Sequence, residues 1–439
     1  SKKINSKLKK LSGGEKQKVG IASVLAMDPD ILIFDSLFSH LDQRSSKMVS
    51  ILLEKLKRDL GKTIIIFEYK TENILHIVDK IGIMNEKGEL ECFGKPDQII
   101  EDIGIDSLIK KGIWLPQLLE IVKLKDRNKF VSFPDINIDQ FNLIEKYELN
   151  SVLLNNYSES ASHIDLFSLR SEAQIHINNL SYHYPDGYKA LDNISISINK
   201  GDMFAICGSN GAGKTTLAKQ ICKILIPPKK TIFIDGIDIT DIKTEDIFKK
   251  IGYVFQNPDH QFIERNVYDE LAYGLRIKNF NEKDVRIQVN ELISNLDLVG
   301  LENENPFRLS QGQKRRLSIG TMLIIEPEIA IFDEPTFGQD RINTYKIMNI
   351  LKKLNEKGIT IILITHDSRL VSEYVRNMSI LKDGRTQFFG TVDNLFKNTI
   401  FDEDAFIKPT AINLLDKINY EIPVFPFQIR HINLEKKRK

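Results

Sequence analysis

Short apolar runs bounded by glycine, proline or charged residues recur along the second half of the chain. They occupy residues 174–184, 202–207, 230–236, 251–255, 328–332, 360–365 and 377–383. Such runs are typical of strands that are buried on both faces of a sheet. Between residues 257 and 327 the pattern is helical instead. The chain is therefore predicted to contain an α/β domain with a helical insertion between two core strands.

The chain also repeats itself at one long interval. Residues 11–42 align without a gap with residues 309–340, at an offset of 298. Downstream, residues 61–74 match 358–371 at an offset of 297, and Gly94 matches Gly390 at 296. Solenoid repeats recur every 20–50 residues or so. An interval this long indicates a duplicated domain.

The duplication predicts the domain boundaries. The second copy looks complete from 174 to 400, with a tail at 401–439. Residues 1–124 form the C-terminal part of the first copy, and 125–173 form its end and a linker rich in Asn, Asp and Ser. Projecting the start of the second copy back by the same offset places its counterpart before residue 1. We therefore expect the sequence to be a fragment of a longer chain.

Composition restricts the function classes. Lys and Arg number 61 and Asp and Glu 60, so the net charge of +1 gives no electrostatic reason to expect a nucleic-acid partner. The three cysteines are too scattered for a disulfide framework, which favours a reducing cytosol. The sequence contains no apolar run of 18 residues and no secretion signal at its first residues. We therefore expect any membrane role to pass through a partner.

A glycine-rich segment carries the strongest chemical signal. It reads Gly208, Ser209, Asn210, Gly211, Ala212, Gly213, Lys214, Thr215 and Thr216, between an apolar strand and a helical run. The spacing fits the phosphate-binding loop, whose backbone N–H groups cradle phosphates at a helix N-terminus. Lys214 is placed to neutralise the β- and γ-phosphates, and the Thr215 hydroxyl to ligate Mg²⁺. This segment predicts a P-loop NTPase.

Charged and polar residues follow two later strands at their carboxyl ends. Asp333 and Glu334 end the run 328–332, and His366 ends the run 360–365. Ligands of open α/β sheets bind at this edge. We expect Asp333 to hold Mg²⁺, Glu334 to polarise the attacking water and His366 to contact the γ-phosphate.

A second glycine motif opens a predicted helix in each copy. In the first copy it comprises Ser12, Gly13, Gly14 and Glu15, and it recurs at residues 309–313, each time 23 residues before a strand-ending aspartate. Serine and glycine at a helix N-terminus form an anion-binding cap. The recurrence makes this weak pattern a strong candidate for nucleotide binding.

Together these motifs resemble the ATP-binding subunits of ABC transporters. The resemblance covers the second copy and the present part of the first, and it implies tandem ABC ATPase domains with a RecA-like core sheet. It adds Gln256 as a nucleotide and Mg²⁺ contact, the loop 338–340, and an aromatic that stacks on adenine. For that aromatic we choose Tyr184, with Tyr182 in reserve. In this family each nucleotide lies between the phosphate loop of one copy and the glycine motif of the other.

Residues 256–262 are similar to a segment of energy-coupling factor transporters, which import vitamins and metal ions. That likeness implies a transmembrane coupling subunit near Asp259, paired with a partner arginine, and near the acidic residues 264–275. An ordinary solvated acidic helix is the alternative for 264–275. Residues 334–340 resemble fused ATPases assigned to a thiamine precursor. The likeness also implies a membrane substrate-binding protein and a peripheral position on the cytoplasmic face, without nucleic acid.

The two copies differ at the residues that carry chemistry. In the first copy, Ser36 occupies the position of Glu334 in the second, and Tyr69 occupies the position of His366. In the second copy, Gln311 occupies the position of Gly13 in the first. This pattern predicts one competent and one degenerate composite site, with neutral drift between two active sites as the alternative. A soluble twin-ATPase acting on ribosomes is the alternative function. Such proteins carry a long charged helical linker, which residues 150–173 do not resemble. They also keep two catalytic glutamates, whereas the first copy has Ser36 at that position.

Overall fold

The computed structural model describes residues 13–38, 41, 43–85, 87–116, 147–149, 173–397, 406, 408–409 and 434–436. The chain divides into two compact units. The first comprises 1–165, 340–342 and 407–439, and the second 166–339 and 343–406. Ser12 and most of the predicted linker lie outside the described residues. The domain boundaries given above stay a prediction.

The first unit alternates helices with strands. Its elements in chain order are α1 (Gly13–Leu25), β1 (Ile31–Asp35), α2 (Gln43–Leu60), β2 (Thr63–Phe67), β3 (Ile81–Met84), β4 (Leu90–Gly94), α3 (Pro96–Ile103), α4 (Ile105–Lys110) and β5 (Tyr147–Leu149). β1 and β2 pair in parallel, and β3 and β4 pair antiparallel. Leu32, Val49 and Leu53 belong to one apolar cluster, which joins β1 to α2.

The second unit begins with strands and the phosphate-loop helix. Its first elements are β6 (Ala173–His183), β7 (Lys189–Asn199), β8 (Met203–Gly208), α5 (Lys214–Ile221), β9 (Ile232–Ile234), β10 (Ile237–Asp238), α6 (Thr244–Lys250) and β11 (Ile251–Val254). The order β10-β9-β6-β7 forms a small antiparallel sheet. β7 is missing from the strands predicted above, because its isoleucines alternate with polar residues instead of forming a continuous run.

The predicted helical insertion follows β11. It contains α7 (Val267–Ile277), α8 (Glu282–Asn295) and α9 (Gln311–Leu323), with short 3₁₀ turns at Pro258–His260 and Pro306–Arg308. Apolar residues of all three helices, among them Leu271, Val289 and Leu317, form a separate buried cluster. The insertion thus has its own hydrophobic core, and α9 is one of the three helices that form it.

The rest of the second unit completes its main sheet. The elements are β12 (Ile329–Asp333), α10 (Arg341–Glu356), β13 (Thr360–Ile364), α11 (Ser368–Tyr374), β14 (Asn377–Lys382), β15 (Arg385–Thr391) and α12 (Val392–Lys397). The sheet order is β11-β12-β13-β8-β14-β15, parallel except for β15. The last described strand of the chain, β16 (Leu434–Lys436), belongs to the first unit and pairs with β5. The parallel strands bring the carboxyl ends of β8, β12 and β13 to one edge.

The turns that follow β1 and β12 have the same backbone conformation in the two copies. Ser36 and Glu334 both have a positive φ, 50° and 49°, and each follows a strand-ending aspartate. In each copy the N–H of this residue donates to the last carbonyl of the neighbouring strand, at 2.9 Å, on Phe67 in one and Ile364 in the other. A positive φ is uncommon for a residue with a side chain. The sharp turn after the strand is therefore common to both copies, although its side chain is not.

Among the described residues, the central strands of the two units differ in exposure. Ile31 and Ile33 on β1 are 58% and 64% exposed, whereas their counterparts Ile329 and Ile331 are fully buried. In the second unit those counterparts pack in one cluster with Leu217 and other residues of α5. The first unit has no equivalent helix among its described residues, and this face of β1 is open there.

Candidate functional site

The phosphate loop joins β8 to α5 by a turn that requires glycine. Gly208, Gly211 and Gly213 have φ values of 141°, 85° and 101°, which side-chain-bearing residues rarely adopt. A Cβ on Gly208 would lie 2.2 Å from the Leu381 carbonyl oxygen, closer than atoms can approach. The sequence therefore specifies both the loop conformation and its close packing against β14.

Lys214, the first residue of α5, folds back over this loop. Its Nζ donates hydrogen bonds to the carbonyls of Gly208, at 2.8 Å, and Ser209, at 3.1 Å. The side chain is 7% exposed. A buried ammonium at a helix N-terminus, beside backbone N–H groups, is arranged to receive an anion.

Asp333 lies at the end of β12 with two hydroxyl donors on one oxygen. Its Oδ2 accepts from Thr215 Oγ1 at 2.8 Å and from the Tyr253 hydroxyl at 2.9 Å. Asp333 is 2% exposed. Burial raises the pKa of its carboxyl above the usual range, while the two hydroxyl bonds act in the opposite direction. Burial and the nearby Asp333 charge also raise the pKa of Tyr253, so its hydroxyl stays a donor.

These oxygens suit Mg²⁺. Thr215 and Asp333 supply a hydroxyl and a carboxylate that already meet at one point. Mg²⁺ is held by one or two carboxylates together with substrate phosphates and water, without an all-protein cage. No group of three or more His, Cys, Asp or Glu able to hold a metal occurs among the residues that the structure describes.

Glu334 and His366 are brought together at the same edge. His366 Nδ1 lies 2.8 Å from Glu334 Oε1, although the residues are 32 positions apart. The side chains are 9% and 20% exposed. Parallel pairing of β12 with β13 places the residues that follow the two strands side by side. The imidazole therefore orients the carboxylate that follows Asp333.

The predicted adenine-stacking residue follows β6. The Tyr184 hydroxyl is 3.0 Å from Thr216 Oγ1 on α5, which ties this residue to the phosphate-loop helix. Its ring makes an edge contact with Tyr182 and stacks on Tyr188, with centroids 5.3 and 6.5 Å apart. Tyr184 is half-buried and Tyr188 is 58% exposed. The structure thus places an aromatic group beside the phosphate loop, and sequence reasoning missed Tyr188 as part of it.

Gln256 lies just beyond β11, where its side chain is exposed. Its carbonyl and that of Phe255 accept hydrogen bonds from Arg315 on α9, at 2.6 and 2.7 Å. Burial lowers the pKa of Arg315 to about 10, against the opposing effect of Asp333 and Glu334. Arg315 was missed from the sequence, where only its place in a run of three basic residues marks it. Arg315 therefore links residues 255 and 256 to α9, the helix that begins at the second glycine motif.

Comparison with known proteins agrees with this geometry. The ABC transporter family model matches residues 1–39 and 191–337. A protein of Photobacterium profundum named as an ABC transporter ATP-binding protein is 36% identical over 413 residues, covering 92% of this chain and 70% of the relative. The chain belongs to the ABC transporter ATP-binding proteins. A relative of the same description from Caldanaerobacter subterraneus is 33% identical, with 92% and 70% covered.

Solved structures of ABC ATPases resemble part of the chain. One is cbiO1 from Clostridium perfringens, part of the ABC transporter complex cbiONQ, with 31% identity and a TM-score of 0.49 over 56% of this chain and 95% of that one. Another is an ATP-binding cassette bound to ADP and Pi, with 28% identity and a TM-score of 0.47 over 50% and 98%. The family assignment confirms the predicted α/β P-loop NTPase fold, the tandem ABC regions and an ATPase coupled to transport. No helix in the described part of the chain is long and apolar enough to cross a membrane.

The second glycine motif of this ABC ATPase is visible in detail in the second copy. Ser310 caps α9: its Oγ accepts from the Gln313 N–H, and the Gln313 side chain accepts from the Ser310 N–H. Such a capping box satisfies two unpaired donors of the first turn. In the first copy Gly13 and Gly14 begin α1, and Ser12 lies outside the described residues. The role predicted for Ser12, Gly13, Gly14 and Glu15 stays a prediction.

The corresponding edge of the first copy carries different chemistry. Ser36 Oγ donates to the carboxylate of Asp35 at 3.2 Å, and Asp35 is exposed. The Glu68 carboxylate accepts from the backbone N–H groups of Phe38 and Tyr69 at 3.0 and 3.1 Å. Burial raises the pKa of Tyr69 above its usual range, so it is a neutral phenol at the position of the imidazole. Among the described residues of this edge, Ser36 occupies the position of Glu334 and Tyr69 the position of His366.

Proposed function

We propose that this ABC ATPase binds ATP with Mg²⁺ at the second copy and hydrolyses it there to energise an importer of the energy-coupling factor type. The observation that carries the hydrolytic part is the Glu334–His366 contact beside the Thr215–Asp333 contact at one sheet edge. The transported solute is a vitamin, a thiamine precursor or a metal ion. This importer class is supported by the likeness of residues 256–262 and 334–340 to that family.

Each residue at this edge has a definite role in the proposed reaction. The loop N–H groups and Lys214 bind the phosphates of ATP, and Tyr184 stacks on its base. Thr215, Asp333 and Gln256 would hold Mg²⁺, which neutralises developing phosphate charge when bound. Glu334 orients the attacking water and accepts its proton.

His366 would contact the γ-phosphate and keep Glu334 in position. Its Nδ1 is the ring atom that lies next to Glu334, at 2.8 Å. Glu334 is nearly buried, which limits the bulk water that competes for its carboxylate. A carboxylate in such a site is held in position before the water arrives.

We propose further that the two copies are unequal in hydrolysis. Ser36 occupies the same turn as Glu334 but has only a hydroxyl, and Tyr69 replaces the imidazole. A serine hydroxyl is too weak a base to accept a proton from water at neutral pH, whereas a carboxylate can do so. We therefore assign hydrolysis to the edge that carries Glu334 and His366, and the degenerate site to the edge that carries Ser36 and Tyr69.

The proposed membrane partner would meet the second unit around Asp259. This carboxylate is 38% exposed on its side chain and pairs with Lys314 Nζ at 2.9 Å. Much of the acidic character of 264–275 is used within the chain: Glu270 is buried and accepts from two backbone N–H groups, and Asp269 pairs with Arg276. Asp259 is paired with Lys314 but keeps an exposed part of its side chain, which a basic partner could contact.

Asp259→Arg is expected to lower recovery of the transmembrane subunit at least tenfold, because like charges would face each other across the interface. ATP affinity is expected to stay the same. Recovery is measured by pull-down at matched salt, and ATP affinity by calorimetry. Lys314→Met is the matched control, since it breaks the same internal ion pair and keeps the carboxylate. Equal loss of the partner in both variants would assign the effect to the internal pair.

The proposed function is tested by co-expressing the full chain with candidate membrane subunits. We expect the protein to sediment with membranes, on their cytoplasmic face, and to support ATP-dependent solute uptake together with a membrane substrate-binding protein. Sedimentation with ribosomes, and not with membranes, would contradict the importer and favour a soluble twin-ATPase. Copurified membrane proteins would also identify the solute class.

A further inference from the structure

Tyr253 contacts the metal-binding corner from a neighbouring strand. Its hydroxyl donates to Asp333 Oδ2 at 2.9 Å, and Thr215 donates to the same oxygen at 2.8 Å. The two donors come from two different elements, β11 and α5. The orientation of the Asp333 carboxylate is therefore determined by two separate elements before any cation arrives.

Strand register explains why a tyrosine at this position reaches Asp333. β11 pairs with β12 in parallel, and Tyr253 lies opposite Ile331. Ile331 and Asp333 are two residues apart, so their side chains are on the same face of the sheet as that of Tyr253. A diagonal neighbour of this kind is within reach of a long aromatic side chain. The phenol spans the distance from Ile331 to the carboxylate.

The ring of Tyr253 is itself held in place. It makes an edge contact with Phe255, with ring centroids 4.8 Å apart and an interplanar angle of 86°. It also packs against the apolar cluster of the second unit. A ring fixed on these sides has little freedom to point its hydroxyl elsewhere.

We propose that Tyr253 is a positioning residue for metal-nucleotide binding: it holds Asp333 in the orientation in which Asp333 and Thr215 receive the divalent cation. This proposal rests on the metal site of the proposed function. The role differs from the nucleotide contacts proposed above, because the hydroxyl of Tyr253 donates to Asp333. Loss of the hydroxyl should consequently affect metal-dependent binding and leave metal-free binding unchanged.

Tyr253→Phe tests this role, since it removes the hydroxyl and keeps the ring. Binding of radiolabelled ATP to the full chain is measured by equilibrium dialysis at graded Mg²⁺ and again in EDTA. We expect the Mg²⁺ concentration at half-saturation to rise roughly tenfold, the effect of one lost hydrogen bond to a charged group. ATP affinity in EDTA should be unchanged, and thermal unfolding is recorded to verify the fold.

Two further variants make the outcome decisive. Tyr345→Phe is the matched control: its hydroxyl also donates to a carboxylate, that of Glu373 at 2.9 Å, and this pair has no place in the proposed metal site. It should not change the Mg²⁺ requirement. Asp333→Asn should raise that requirement more than Tyr253→Phe does.

The possible contrary results are distinguishable. An unchanged Mg²⁺ requirement in Tyr253→Phe, with a raised one in Asp333→Asn, would overturn the role of Tyr253 alone. Equal weakening of ATP binding with and without Mg²⁺ in Tyr253→Phe would also overturn it and leave the hydroxyl a purely structural group. An unchanged requirement in both variants would overturn the metal site and the role of Tyr253 with it.

Discussion

Glu334→Gln is expected to lower the rate of ATP hydrolysis at least 100-fold or so, the usual contribution of a positioned general base. ATP binding should change little. The amide has the size of the carboxylate and retains an oxygen that can face His366, so the local packing is kept. It cannot accept a proton from water, and the loss falls on the chemical step.

Ser36→Ala is the matched substitution in the first copy. The two residues occupy the same turn, with φ values of 50° and 49°. Ser36 has only a hydroxyl, so we expect turnover to stay within about twofold of the parent, as for surface changes with little functional cost. The difference in ATP turnover between Glu334→Gln and Ser36→Ala therefore measures how unequally the two copies contribute to hydrolysis.

Steady-state phosphate release and equilibrium ATP binding are measured on both variants of the full chain. A large loss of turnover in Ser36→Ala would show that the first copy also contributes chemistry, and it would contradict the unequal-site proposal. Parent-like turnover in Glu334→Gln would remove Glu334 from the reaction. Reduced ATP binding in Glu334→Gln would instead indicate a local conformational defect.

The elements around the phosphate loop could be predicted because their signals are local. β8, the glycine-rich loop and α5 follow one another directly along the chain, so consecutive residues predict the order strand, turn and helix. The predicted strands of the main sheet were equally readable as continuous apolar runs. β7 was missed because Ile194, Ile196 and Ile198 alternate with polar residues, as expected of a strand with one face less covered.

Contacts between distant positions could not be predicted in the same way. Tyr253 and Asp333 are 80 positions apart, and Asp259 and Lys314 are 55 apart. Each contact depends on strand register or helix packing, which local composition does not specify. Glu270 illustrates the same limit, because charge pattern treats it as solvated while the structure buries it against the N–H groups of Ile263 and Glu264.

The proposed inequality of the copies combines sequence with structure. The alignment identifies Ser36 and Tyr69 as replacements, but it does not show whether their backbone keeps the geometry of a catalytic turn. The matching φ values and the matching N–H bonds to Phe67 and Ile364 show that it does. At this turn the two copies therefore share their backbone and differ in their side chains, so substitutions of Ser36 and Glu334 act on corresponding positions.

Lys214→Ala is expected to weaken ATP binding to the second copy about tenfold to a hundredfold, because a hydrogen bond to a charged group contributes about 1.5–3 kcal/mol. The ammonium is the cation that folds over the loop, and its removal leaves phosphate charge uncompensated. It also removes the two bonds to the carbonyls of Gly208 and Ser209, which hold the loop closed.

Lys219→Ala is the control for Lys214→Ala, because Lys219 is on the same helix, α5, outside the phosphate loop. It removes an equal charge and should leave ATP affinity within about twofold, since long-range effects of one partly exposed charge are screened by salt. Calorimetric titration of the full chain with ATP gives both affinities, and thermal unfolding shows whether the loop change has spread to the fold. Unchanged affinity in Lys214→Ala would mean that the loop does not bind phosphate through this lysine. Equal weakening in the two variants would attribute the effect to net charge and not to the position of Lys214 over the loop.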